Sequence, residues 1–281
     1  MRQAECYAIH CSREDREACL AFLGQWPFYA FEEDERGWLA YVFSEDKGED
    51  FDDSLRVALR ERAWVLREAA RLLPAENWNA RWEENFQPVR VGDFCGIRAA
   101  FHPPFAPPVR HDLIIQPKMA FGTGHHETTF MMVDLMRDLP FSGSTVFDYG
   151  CGTGILGILA LRMGAYRVLA IDVEEEACVN TRENALRNGV AASLEVKNGD
   201  LSVLGQACEK SFDFILANIN RGVILASLPQ MKDLLKPEGR LLISGFLQED
   251  EALMREKLDE HAFHLRSRKQ KGNWLAFSCG L

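Results

Sequence analysis

Five short apolar runs between residues 146 and 244 alternate with helical patterns or turns, and no other feature constrains the fold of this chain as strongly. The runs lie at 146–148, 168–171, 194–196, 212–216 and 241–244. Strands that alternate with helices form a parallel sheet covered on both faces, so this part of the sequence predicts an α/β fold. Two further runs, at 264–268 and 274–279, flank a polar turn and predict a closing antiparallel hairpin.

The first 75 residues predict a separate, small α+β unit. The patterns of a strand, a helix, an aromatic-rich hairpin and a long helix follow one another at 7–9, 12–22, 28–43 and 53–73. The long helix is expected to end before Pro74, because proline cannot continue a helix. We therefore expect two structural parts, of which the second carries the parallel sheet.

Composition narrows the classes of function. Of the 281 residues 47% are hydrophobic, enough for a folded core, and the formal net charge is -10. This charge disfavours direct DNA binding, because phosphate contacts need a basic face. No apolar run approaches the roughly 20 residues of a membrane helix, and the first residues lack the apolar core of a signal peptide. We therefore expect a cytoplasmic protein with no membrane contact.

A glycine turn follows the first run of the predicted sheet, with Gly150, Gly152 and Gly154 in front of a predicted helix. Such a turn lets a ligand approach the backbone, and the free N–H groups of the helix face the same space. A dinucleotide fingerprint would need glycine at position 155, where Ile155 stands. The pattern therefore favours a nucleoside that bears an amino acid over a pyrophosphate, and a tight turn without a ligand is the alternative.

Three polar residues follow strands of the predicted sheet. Asp172 lies 22 residues after Gly150, where a carboxylate can accept hydrogen bonds from both ribose hydroxyls, or alternatively cap the next helix. Asp200 could reach a base in the same way, or simply be solvated. Asn218 ends the fourth strand, and its amide could orient a substrate nucleophile, hold the amino-acid part of a cofactor, or only form a turn. No side chain stands out as a catalytic base.

A segment upstream of the glycine turn carries a more specific signal. Residues 117–129 read PKMAFGTGHHETT, and residues 216–219 read LANI. With the glycine turn, these segments resemble the PrmA family, class I methyltransferases that use S-adenosylmethionine to methylate ribosomal protein L11 of the large subunit. The family signature A-F-G-T-G-x-H-x-T-T is met in full at 120–129, and the resemblance extends over roughly residues 76–281.

The resemblance implies a fold and a site. The fold is a Rossmann-like class I methyltransferase sheet at 76–281, a ferredoxin-like N-terminal recognition domain at 1–55 and a helical linker at 56–75. The cofactor is S-adenosylmethionine. The residues implied to bind it, in the signature, the glycine turn and the two strand ends, are Phe121, Thr123, Thr129, Gly150, Gly152, Asp172 and Asn218. Of these, Phe121 and Thr123 belong to a loop that covers the cofactor.

The function expected from these features is methylation of lysine or N-terminal amines of ribosomal protein L11, free or ribosome-bound. Methylation of another protein or a small amine, and a non-catalytic cofactor-binding module, are the alternatives. The sequence departs from the family pattern at 118–119, at Glu127 and at Asn220. These departures bear on the details of the substrate channel and not on the cofactor site. We expect no metal site at 125–127, because adjacent histidines rarely converge on one ion. His126 is expected to steady its loop instead.

Overall fold

The computed structural model describes residues 4–48, 50–72, 87–116, 122, 124–204 and 211–281. The chain divides into two compact units, Met1–Asn85 and Phe86–Leu281. Each unit has its own buried apolar core. In the described part of the chain, no helix is long and apolar enough to cross a membrane.

The first unit has the element order β-α-β-β-α-β. Its elements are β1 (Ala4–His10), α1 (Arg16–Leu23), β2 (Ala30–Asp34), β3 (Gly37–Phe43), α2 (Phe51–Arg60) and β4 (Val65–Leu72). The sheet order is β2-β3-β1-β4, and every neighbouring pair is antiparallel. This order and topology are those of a ferredoxin-like fold, and the predicted hairpin is confirmed as β2 and β3.

The predicted long helix at 53–73, and with it the helical linker at 56–75, is wrong at 61–72, and residues 73–75 lie outside the described part of the chain. The helix ends at Arg60, Ala63 takes a positive φ of 58°, and Val65–Leu72 forms the fourth strand. Locally, the Arg-, Glu-, Ala- and Leu-rich sequence favours a helix. The free edge of β1 outweighs this preference, because its unpaired N–H and C=O groups gain partners from an antiparallel strand.

The second unit contains a seven-stranded and a three-stranded sheet. Its strands are β5 (Val89–Val91), β6 (Cys95–Arg98), β7 (His111–Ile114), β8 (Thr145–Tyr149), β9 (Arg167–Asp172), β10 (Leu194–Asn198), β11 (Phe212–Asn218), β12 (Leu235–Leu247), β13 (His264–Lys271) and β14 (Trp274–Gly280). Its helices are α3 (Glu127–Met136), α4 (Ile155–Arg162), α5 (Glu175–Arg187), α6 (Arg221–Leu234) and α7 (Glu251–Glu260).

The large sheet has the strand order β10-β9-β8-β11-β12-β14-β13. The first five strands of this order are parallel, and β14 is antiparallel to both of its neighbours. Alternate residues of β8 face opposite cores, Val146 one and Phe147 the other, so both faces of the sheet are covered. The predicted parallel α/β sheet and its closing hairpin are therefore confirmed, and the fold is Rossmann-like.

The strand order reverses between β8 and β11, because the chain first builds outward to β10 and then returns to the other side of β8. In open α/β sheets, ligands bind beyond the carboxyl ends of the strands at such a switch point. The small sheet pairs β5 with β6 antiparallel and β6 with β7 parallel. β7 leads the chain toward the signature segment.

Candidate functional site

A cleft of about 840 Å³ opens at the carboxyl ends of β8, β9 and β11. It lies at the switch point of the large sheet, where the topology predicts a ligand site. The structure brings together in it four residues that the sequence singled out. These four are Gly150, Gly152, Asp172 and Asn218.

The glycine turn forms the floor of the cleft. Gly150, Gly152 and Gly154 have φ values of 70°, 56° and 78°, in the left-handed region that favours glycine. A Cβ at Gly150 would collide with Cγ2 of Ile219, and one at Gly154 would lie 2.7 Å from Cγ2 of Thr181. The turn can therefore carry no side chain at these two positions, and its backbone stays open to the cleft.

Asp172 is fixed by two backbone hydrogen bonds. Its Oδ2 accepts from the N–H of Gly152 at 2.9 Å, and its Oδ1 accepts from the N–H of Glu174 at 3.0 Å. Each carboxylate oxygen can accept more than one hydrogen bond, so both keep capacity for a ligand. The bond to Glu174 also stabilises the entry to α5, so the two roles weighed for Asp172 from the sequence are compatible.

Asp148 lies beneath the glycine turn and was not singled out by the sequence. Its side chain is buried, and Oδ2 accepts from the N–H of Gly157 at 2.9 Å. Burial raises the pKa of this carboxyl to about 7, the negative charge of Asp172 acts in the same direction, and the bond from Gly157 opposes both. The signal in the sequence is an acid inside an otherwise apolar strand.

Asn218 is held by a residue of the signature. Its Nδ2 donates to Oγ1 of Thr129 at 3.2 Å, and Thr129 is fully buried in the first turn of α3. Oδ1 of Asn218 is buried and has no hydrogen-bond partner within the described chain. An unsatisfied buried acceptor is costly, so this oxygen suits a ligand that donates a hydrogen bond. Thr129 is therefore connected to the cleft through its hydrogen bond with Asn218.

The signature passes close to the glycine turn at Gly122. The carbonyl oxygen of Gly122 accepts a hydrogen bond from Oγ1 of Thr153 at 2.6 Å, and Gly122 has a φ of 103°. Phe121 and Thr123, the two loop residues implied to cover the cofactor, lie outside the residues that the structure describes.

His126 and Trp274 lie together on the wall of the cleft. The rings have centroids 4.9 Å apart and cross at 67°. Nδ1 of His126 accepts from the backbone N–H of Thr128 at 3.3 Å and caps α3, which confirms its loop-steadying role. Nδ1 also lies 2.8 Å from Oγ1 of Thr128, a contact in which either atom donates according to the tautomer of the ring.

Asn220, one of the departures from the family pattern, caps a helix. Its Oδ1 accepts from the backbone N–H of Val223 at 3.0 Å, at the start of α6. Asp200 also makes a local bond, from the N–H of Ser202 at 2.9 Å. Within the described ranges, no three His, Cys, Asp or Glu side chains lie close enough together to hold a metal ion.

Comparison with known proteins places these features in a family. A family model described as ribosomal protein L11 methyltransferase (PrmA) matches residues 40–280. A relative of that description from Porphyromonas gingivalis is 39% identical over 91% of this chain and 87% of its own length. One from Bacteroides fragilis is 35% identical over 95% and 94%. A crystal structure of a ribosomal protein L11 methylase from Lactobacillus delbrueckii subsp. bulgaricus is also similar, with a TM-score of 0.61 at 27% identity over 69% of this chain and 98% of that one.

Proposed function

The chain belongs to the family of ribosomal protein L11 methyltransferases, and on this premise we propose that it transfers methyl groups from S-adenosylmethionine to amines of ribosomal protein L11. The amines are lysine side chains, the N-terminal amine, or both. One observation carries the proposal. At the switch point, a side-chain-free turn, a fixed carboxylate and Asn218, whose buried Oδ1 has no hydrogen-bond partner among the described residues, line the same cleft.

The residues of the cleft fit S-adenosylmethionine. Asp172 has spare acceptor capacity for the two ribose hydroxyls, and the turn at Gly150 and Gly152 leaves room for close approach to the backbone. Oδ1 of Asn218 would accept from an ammonium group. When bound, the cofactor supplies a methyl group on a positively charged sulfur. We extend the proposal to Phe121 and Thr123, as the loop over it, and to Thr129 behind Asn218.

The chain's own part in the reaction is to position the groups and to exclude water. Asp172 and Asn218 are each fixed by hydrogen bonds within the protein, so little freedom is lost when a ligand binds. A lysine amine has an ordinary pKa of about 10.4 and must be neutral to attack. Transfer from water into the cleft lowers that pKa, because burial disfavours the charged form.

The proton of the amine is released to water in this proposal. Nδ1 of His126 accepts from the backbone N–H of Thr128 and is engaged as the cap of α3, so His126 is not assigned as the base. An asparagine amide such as that of Asn218 is no base at neutral pH. Positioning, rather than a side-chain base, therefore supplies the acceleration.

The first unit, Met1–Asn85, is proposed to recognise the protein substrate. It carries the acidic segment at 32–35 along β2 and the turn after it. A basic ribosomal protein would be attracted to such a segment, which raises the rate of encounter more than the final affinity. The same attraction serves free protein or protein on the ribosome.

The test is the intact mass of purified ribosomal protein L11 after incubation with this chain and S-adenosylmethionine. We expect mass gains in whole methyl increments, and none when Asp172→Ala replaces the wild type. Cofactor binding is measured in parallel by calorimetry. If the wild type binds S-adenosylmethionine but L11 gains no mass, L11 is not the acceptor, and another protein or a small amine takes its place.

A further inference from the structure

Three asparagines line one face of α5 and its C-cap. Asn180, Asn184 and Asn188 are spaced four residues apart and are all buried. Residues four apart lie one above the other on a helix, so the three amides form a single row. Buried amides are costly unless their hydrogen bonds are made, and an apolar row would pack at lower cost. The row therefore needs a reason beyond packing.

The row pairs with the backbone at the end of β7 and just after it, at Ile114 and Gln116. Asn188 accepts from the N–H of Ile114 at 3.0 Å and donates to its carbonyl oxygen at 2.7 Å. Asn184 accepts from the N–H of Gln116 at 3.0 Å, and Asn180 donates to the carbonyl oxygen of Gln116 at 3.0 Å. The three amides thus make the hydrogen bonds that a neighbouring strand would make with residues 114 and 116.

The spacing of helix and strand makes this pairing possible. Four residues of helix advance by about 6 Å and two residues of strand by about 6.6 Å, so Asn184 and Asn188 meet Gln116 and Ile114, two alternate residues of the extended segment. The N–H of Ile115, between the two, points the other way and donates to the carbonyl oxygen of Arg98 at 2.9 Å. A hydrogen-bonded row fixes the register of this segment, which an apolar row would leave free to slide.

Asn184 differs from Asn188 because it also holds the glycine turn. Its Nδ2 donates to the carbonyl oxygen of Thr153 at 2.9 Å. The hydroxyl of Thr153, fully buried, donates in turn to the carbonyl oxygen of Gly122 at 2.6 Å. Gln116, the glycine turn and Gly122 of the signature are therefore joined through two side chains, Asn184 and Thr153.

We propose that Asn184 and Thr153 are positioning residues of the cofactor site. They hold Gln116 and Gly122 at a fixed place against the glycine turn, and so set the affinity for S-adenosylmethionine without touching it. This inference rests on the proposed function, because it assigns a role within the same cofactor site. Asn188 donates to the backbone carbonyl oxygens of Ile114 and Asn184, so it holds the end of β7 and not the glycine turn.

The first test uses a matched pair at Thr153. Thr153→Val keeps the shape of the side chain and removes the hydroxyl, whereas Thr153→Ser keeps the hydroxyl. Loss of one buried hydrogen bond at the site is expected to raise the Kd and the KM for S-adenosylmethionine about 10-fold in the Val variant. The Ser variant should restore both, and kcat should change much less than KM in either.

The second test compares two substitutions in the asparagine row, one in α5 and one at its C-cap. Asn184→Leu and Asn188→Leu both remove a buried amide, and both are expected to lower the unfolding temperature of the cofactor-free protein. Only Asn184→Leu should also raise the Kd for S-adenosylmethionine, by about 10-fold. Should Asn184→Leu fail to fold, the Thr153 pair decides the question alone.

Three outcomes are distinguishable. If the folded wild type binds no S-adenosylmethionine, the proposed function fails, and the positioning role fails with it. If the wild type binds and the Thr153→Val and Asn184→Leu variants bind equally well, the proposed function stands and the positioning role is overturned. If Asn188→Leu weakens binding as much as Asn184→Leu, the row acts through the stability of β7, and the distinct role of Asn184 is overturned.

Discussion

Asn218, at the carboxyl end of β11, donates a hydrogen bond to the hydroxyl of Thr129, in the first turn of α3, at 3.2 Å. This bond joins the end of the fourth parallel strand to the last residue of the signature, which lie far apart in the sequence. It leaves Oδ1 of Asn218 as a buried acceptor without a partner in the described chain. The pair therefore holds one oxygen in place to accept a hydrogen bond from a ligand.

Replacing Asn218 by Ala should impair methyl transfer strongly. A hydrogen bond to a charged group contributes about 1.5–3 kcal/mol, so kcat/KM is expected to fall by one to two orders of magnitude. Thr129→Val keeps Oδ1 of Asn218 but removes the hydroxyl that accepts from its Nδ2, so a smaller fall in kcat/KM is expected. Thr129→Ser keeps a hydroxyl and should be close to the wild type. Equal activity of Asn218→Ala and wild type in a radiolabelled methyl-transfer assay would contradict the role of Asn218.

Asp172→Ala should weaken the binding of S-adenosylmethionine. The variant removes the acceptor for ribose hydroxyls and also leaves the N–H of Gly152 without its partner, so a loss of about 1–3 kcal/mol is expected. Asp138→Ala is the matched control, because Asp138 is an exposed acid that does not line the cleft. Calorimetric Kd values should separate the two variants, and equal values would remove Asp172 from the site.

Gly150→Ala tests whether the open turn is needed. The added methyl would collide with Ile219 and would sit at a φ of 70°. Gly143→Ala is the control, because Gly143 has a similar φ of 74° and no atom within 4 Å of the added Cβ. Both should lose about 1–2 kcal/mol of stability from the left-handed backbone. Only Gly150→Ala should also lose cofactor affinity, measured by calorimetry at a temperature where both are folded.

The sheet and the residues at its strand ends could be predicted because their signals are local. Alternating apolar runs identify the parallel strands, and a glycine turn followed by Asp172 and Asn218 identifies the edge at which the cleft lies. Parallel strands bring their carboxyl ends to one edge, so residues far apart in sequence meet without any further information. This is why four of the residues singled out lie in one cleft.

Other parts depend on contacts that no local pattern contains. The segment Val65–Leu72 reads as a helix and becomes a strand because β1 offers a free edge. The spacing of Asn180, Asn184 and Asn188 is visible in the sequence, but its partner is the backbone at 114–116, which lies 64 to 74 residues away. The raised pKa of Asp148 depends on complete burial, which the residue type alone does not reveal.

Removing the first unit should separate recognition from cofactor binding. The unit Phe86–Leu281 contains the whole cleft and its own core, so a chain that begins at Phe86 is expected to bind S-adenosylmethionine with nearly unchanged Kd. Its turnover with ribosomal protein L11 should fall by at least about 10-fold, because the proposed recognition surface is gone. Full activity of the shortened chain toward L11 would place recognition in the second unit.

The carboxyl of Asp148 should make the stability of the second unit depend on pH. Its pKa is raised from 3.8 to about 7 in the folded state, so between these values the folded chain holds a proton that the unfolded chain has lost. The contribution of this group to the free energy of unfolding therefore falls as pH rises, by at most about 1.4 kcal/mol per pH unit, and levels off above the folded pKa.

Asp148→Asn keeps an oxygen for the N–H of Gly157 and cannot ionise. Hydrogen exchange of peptides that cover β8, measured from pH 5 to 8 and corrected for intrinsic rates, should show this slope in the wild type and lose it in the variant. Parallel slopes in the two proteins would mean that Asp148 is ionised in the folded state throughout this range.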